Sequence, residues 1–154
     1  MNELVAKVMA AKRKRLLFGT RPVYSAGKPN TSCGLSECEE EFSFRFPEEI
    51  RAFLLMLGAG STEDFTIFHA EQIYPFDQDN GPIEHFVTFA TDVLGNFYAF
   101  NPRSNSPSEI YYCSHDPLGY AKLAPDIASF LKTFVENEFN NLELTEKLEL
   151  TGWR

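Results

Sequence analysis

Apolar positions gather into two short runs between Phe86 and Phe100, FVTFATDVLGNFYAF, which predict two strands folded back through a turn from Asp92 to Asn96. Aromatic and β-branched side chains suit a pleated, half-buried surface. Asp92 can hydrogen-bond within its own turn, and Gly95 and Asn96 tolerate the positive φ that such turns need. Phe97 and Ala99 fall on one face of the second strand, Tyr98 and Phe100 on the other. Both faces carry apolar groups, so the pair should be central in its sheet and covered on at least one side.

Helical spacing predicts two strong helices. Ile50, Phe53, Leu54 and Leu57 form one apolar stripe after Phe46-Pro47, with Gly58 and Gly60 as stop signals. Ile127, Phe130, Leu131, Phe134 and Val135 form another within Pro125 to Phe139. Ser36 and Glu39 fit a capping box and predict a short acidic helix from there, its Glu37, Glu39, Glu40 and Glu41 favoured by the helix macrodipole. Phe65 to Phe68 and Glu109 to Cys113 read as further strands. Ala70 to Ile73 reads as a turn or brief helix, and Tyr74 to Glu84, Asn101 to Ser108 and the His115 to Gly119 stretch as loops and turns. Clustered strands flanked by helices predict an α+β fold, an antiparallel sheet of several strands packed with helices, rather than a doubly wound nucleotide fold.

At 154 residues the chain is long enough for one domain with its own core, and its 15 Phe and 6 Tyr fall mostly after Cys33. The net charge of −8 is unevenly placed. Met1 to Arg21 carries Lys7, Lys12, Arg13, Lys14, Arg15 and Arg21 against Glu3 alone, so the remainder is strongly acidic. This predicts a basic helical arm and loop over residues 1–33 and an acidic domain over 34–154, with the arm free as an address or folded back onto the acidic body. An acidic body repels nucleic acid and attracts basic partners. No stretch approaches the roughly 18 apolar residues of a membrane span, and the start is not a secretory signal. Three cysteines without a disulfide framework fit a reducing, cytoplasmic compartment.

Catalytic and metal readings find little support. Cys33, Cys38, Cys113 and His115 are suitable zinc donors, but their spacing matches no zinc pattern, and the thiols read as core or surface groups. Ser114-His115-Asp116 are sequence neighbours that cannot converge on one substrate atom, and no phosphate loop or His-Glu-x-x-His motif occurs. The expectation is no enzyme, no metal and no cofactor.

The elements in this order resemble a known family. CEEEFSFRFPEEIRAFLLMLGAG, Cys38 to Gly60, resembles the opening signature of the SUKH superfamily, a group named partly for fungal cell-wall-synthesis regulators. Glu39 stands eight residues before Pro47, Phe46 takes the usual Leu position, and Phe53, Leu54 and Gly58 fall in place. HAEQI, His69 to Ile73, is similar to the acidic turn after the first strand. Asp92 with Gly95-Asn96-Phe97-Tyr98 is similar to the family's hairpin, and Ile127 to Phe134 to its closing helix. The chain departs at Ser43, where Gly is usual, at Leu57, where Asn is usual, and at Asn96, where Asp is usual. The resemblance runs from about Gly34 to Asn137 and implies an α+β domain without catalysis or cofactor. Many bacterial members are immunity proteins that bind and block a toxin, often a nuclease. On that reading the partner is a basic toxin, and candidate contacts are Asp92 at the hairpin tip, Glu109, Asp116, and the Asp77 and Asp79 loop. The alternative is a regulatory or scaffolding module addressed by the Lys12 to Arg15 cluster.

Overall fold

A computed structural model describes residues 1–14, 19–76, 78–138, 140 and 145–152. In chain order the elements are α1 (Asn2–Ala10), β1 (Lys12–Lys14), β2 (Thr20–Pro22), β3 (Ser25–Ala26), α2 (Ser32–Glu41), α3 (Glu48–Leu57), β4 (Gly60–Ser61) and β5 (Phe65–Ile67). After a 3-10 turn, Ala70–Gln72, come β6 (Tyr74–Pro75), a second 3-10 stretch, Gln78–Ile83, and then β7 (Val87–Asp92), β8 (Phe97–Phe100), β9 (Ile110–His115), β10 (Leu118–Ala124) and α4 (Ile127–Glu136). The strands form an antiparallel sheet in the order β10-β9-β8-β7-β5-β4-β3, with β6 also paired to β7; β1 and β2 make a separate ribbon. The α+β architecture expected from the sequence is the one observed.

The central hairpin forms as its pattern dictates, Val87 opposite Phe100 and Thr91 opposite Phe97. Tyr98 and Phe100 enter the main core with Phe89, the α3 stripe and the α4 stripe. Phe65 meets Tyr98 edge-on at 5.0 Å between centroids, and Phe130 stacks with Phe134 at 6.0 Å. On the opposite face Ala99 and Cys113 are buried beneath Ile83 and Phe86, with Phe97, Tyr111 and Tyr120 half-buried around them. The second face is therefore covered by the segment before β7, which explains apolar residues on both sides of β8.

Three expectations change. Helix α2 starts at Ser32, not at Ser36: the Thr31 hydroxyl accepts from the Gly34 amide at 3.0 Å and caps the helix a turn earlier. Ser36 and Glu39 are thus interior and free for other partners. Strand β10 takes in the end of the stretch read as a turn and Tyr120 to Ala124, to which no element was assigned, because LGYAKLA has no β-branched residue and owes its state to pairing with β9. The N-terminal segment is not a detached arm. Helix α1 packs on α3 and α4 with Val5 and Val8 in the main core, and Arg13 pairs with Glu63 at 2.6 Å. The chain folds back as one of the two readings of the basic segment anticipated, with apolar contacts as well as charge holding it.

Candidate partner-binding surface

The elbow between α2 and α3 is fixed by one buried acid. Glu39, 7% exposed, accepts from the Phe46 amide at 2.9 Å and from Arg51 at 3.0 Å, with Arg45 at 3.4 Å. The second Arg51 nitrogen donates to the Ser32 carbonyl and to the Ser32 and Ser36 hydroxyls, at 3.0 to 3.1 Å. One guanidinium thus ties the start of α2, its middle and α3 together. The chain enters the elbow through Ser43 at φ 55°, a left-handed conformation that favours glycine.

Exposed acids flank this frame on both helices. Glu37, Glu40 and Glu41 on α2 and Glu48 and Glu49 at the start of α3 are all exposed. Among the described residues no cation lies within ion-pair distance of Glu40, Glu41, Glu48 or Glu49. Glu40 alone of these lines an open cleft of about 540 Å³, with Glu39, Ser43, Phe44, Pro102 and the cations Arg45 and Arg103.

The β7–β8 tip is built on a second buried acid. Asp92, 4% exposed, accepts through Oδ1 from the Leu94 and Asn96 amides, both at 2.9 Å. Its Oδ2 accepts from Asn96 Nδ2 at 3.1 Å and from the Tyr112 hydroxyl at 3.0 Å. Asn96 Oδ1 in turn accepts from the His115 amide at 3.2 Å and lies 2.9 Å from His115 Nδ1. Burial, reinforced by the Asp92 charge, pushes the Tyr112 hydroxyl up to about 12. Gly95 closes the turn at φ 82°. Above this network Val93 and Leu94 stand 60% and 61% exposed.

Of the five acids singled out from the sequence, the three whose side chains are described, Asp92, Glu109 and Asp116, do not form one patch. Asp116 is exposed in the β9–β10 turn, next to the Asp92 tip, since His115 adjoins Asn96. Asp92 is not a surface carboxylate: four donors satisfy it inside the hairpin, so it shapes the tip instead of facing a partner. Glu109 lies at the opposite end of β9, half-buried, paired with Lys122 and accepting from the Tyr111 hydroxyl at 2.6 Å. Lys122 foremost, with Tyr111, holds its carboxyl below the ordinary range. Asp79 belongs to the 3-10 stretch over the second face, its side chain outside the described set, and Asp77 lies outside the described residues. What sequence reasoning missed was the face formed by α2 and α3. Its signal was present: Glu37, Glu40 and Glu41 recur at i, i+3 and i+4, the spacing of neighbours on one side of a helix.

Among the described residues no group of three or more His, Cys, Asp or Glu is arranged to hold a metal ion, and no helix is long and apolar enough to cross a membrane. The fold and these surfaces define an α+β domain with helices on an antiparallel sheet, a signature elbow and a signature hairpin each closed on a buried carboxylate. The chain belongs to the SMI1 / KNR4 family (SUKH-1), whose family model matches residues 29–133. No curated protein matches the chain.

Proposed function

We propose that this chain is a non-catalytic, cytoplasmic protein-binding domain of the immunity type, which neutralises a basic toxin, a nuclease above all, through an acidic surface. The observation that carries the reading is the set of exposed carboxylates Glu40, Glu41, Glu48 and Glu49 on the two helices of the elbow, none of them ion-paired among the described residues. Such carboxylates can take the places of the phosphates that a nuclease grips, and their field speeds the approach of a cationic partner. The thiols fit a non-catalytic role: burial raises Cys113, raises Cys38 to about 11, and the Glu37 carboxylate raises Cys33, so all three are poor nucleophiles at neutral pH. The regulatory-module alternative needs the basic segment free as an address. Arg13 is engaged with Glu63 and with the Glu138 carbonyl, which favours the immunity reading.

The test is capture from the native host with tagged protein, first at low and then at moderate salt, with bound proteins identified by mass spectrometry. A single stoichiometric, basic, toxin-like partner that survives moderate salt supports the proposal. A set of acidic or housekeeping proteins contradicts it.

A further inference from the structure

Strand β10 is an edge of the sheet, and an open edge presents a row of unpaired main-chain groups. The chain covers it with its own C-terminal segment. The Tyr120 amide donates to the Thr151 carbonyl and the Thr151 amide to the Tyr120 carbonyl, both at 2.8 Å, an antiparallel bridge of one residue pair. Leu148 and Leu150, two positions apart, pack half-buried against the main core. Gly119 makes the room. A Cβ built there would lie 2.9 Å from Leu150 Cβ, 3.2 Å from the Thr151 carbonyl oxygen and 3.6 Å from Leu150 Cδ1, so its nearest neighbours all belong to the tail.

We propose that the β10 edge is a strand-acceptor site for an extended segment of another protein with apolar side chains at alternate positions, and that residues 148–152 occupy it until that segment arrives. The tail displays the chemistry an incoming strand needs: main-chain pairing to Tyr120 and two apolar side chains, one residue apart, on the core side. Exchange conserves the two bridge hydrogen bonds. It also adds pairing at Lys122, whose main-chain groups face the same edge as those of Tyr120 by the period-two alternation of a strand. Among the described residues the tail makes no main-chain hydrogen bond to Lys122. Leu118 is itself an exposed apolar side chain beside the bridge. The proposal stands whether or not the acidic face holds the partner.

The probe is a fluorescent peptide of residues 145–152, TEKLELTG, titrated against the full chain. A tethered tail competes at an effective concentration on the order of millimolar, so the wild type should take the peptide weakly. Leu148→Ser with Leu150→Ser strips the tail's anchors and leaves the edge intact, and should tighten peptide binding by about tenfold or more. Adding Gly119→Ala should abolish that gain, because the new methyl fills the place of any strand at the Leu150 position. In the wild type, excess peptide should speed hydrogen exchange at the chain's own Thr151 amide and leave the Tyr120 amide protected; this measurement stands even if the released variant does not fold. Equal peptide affinity with and without the tail anchors, no effect of Gly119→Ala, or Thr151 exchange indifferent to peptide would each overturn the proposal. So would a released variant that dimerises and takes up no peptide, since the edge would then serve a second copy.

Discussion

Two buried carboxylates hold the two ends of this domain, and they are satisfied in different ways. Glu39 in the elbow is matched by a guanidinium and one amide, whereas Asp92 at the hairpin tip is surrounded by neutral donors only, two amides, an amide side chain and a phenol. The elbow joins two consecutive helices, α2 and α3, and Arg51 ties them together through Glu39, Ser32 and Ser36. The tip is local: four of its five polar groups lie within Asp92 to Asn96, and only Tyr112 comes from another strand. The outer surfaces differ as well, acidic around the elbow and apolar at the tip. A buried carboxylate can thus clamp two helices through a cation or template a turn through neutral donors.

The contrast can be broken most severely at the elbow. Arg51→Ala leaves Glu39 buried beside only the Phe46 amide and the exposed Arg45, and removing one partner of a buried pair typically costs about 3–5 kcal/mol. Chemical denaturation should show a loss of that size, with an unchanged slope against denaturant. At the tip, Asp92→Ala orphans two amides and the Tyr112 hydroxyl proton, while Asn96 Nδ2 keeps its bond to that hydroxyl, and we expect about 2–3 kcal/mol from unsatisfied buried donors. The loss at the tip should be smaller than at the elbow, because no charge is stranded.

The pH dependence separates the ends too. Tyr112 ionises at about 12 in the folded chain, against an ordinary value near 10 in the unfolded one. Its protonated form therefore contributes stability that is whole below about pH 10 and is lost as pH rises to about 12, on the order of 2 kcal/mol. Tyr112→Phe should flatten that part of the alkaline limb in stability measured from pH 9 to 12, whereas Arg51→Ala should leave the limb's shape unaltered. The smallest effect lies at Ser43: Ser43→Gly relieves a left-handed serine and should raise stability by up to about 1 kcal/mol in thermal unfolding.

Much of this organisation was legible in the residues. The α3 and α4 stripes were read correctly because each buries one regular face, and the β7–β8 hairpin because its aromatic strands are buried on both faces around a Gly-Asn turn. The usual family glycine at position 43 is explained by the φ of 55° that Ser43 adopts there. Strand β10 was not legible, since its state rests on a partner strand and its own residues are weak β-formers. The docking of α1 was left open between a free arm and one folded back, because Val5 and Val8 form a narrow apolar stripe within a segment dominated by its charge. Asp92 was assigned both to its turn and to a partner, and one carboxylate with four internal donors can serve only the turn. The elbow's acids were visible as helical neighbours, but their lack of counter-charges depends on where Arg45 and Arg51 point, which spacing does not encode.

The measurement that tests the functional account most directly is the affinity of the captured partner for the wild type and for the quadruple variant Glu40→Lys, Glu41→Lys, Glu48→Lys and Glu49→Lys, each at several salt concentrations. If the acidic face holds the partner, the variant should bind at least about a hundredfold more weakly at low salt, a few kcal/mol for several reversed charges, and the gap should narrow as salt screens it. Equal affinity at every salt concentration, with the variant folded, would contradict the account and move the interface elsewhere on the domain.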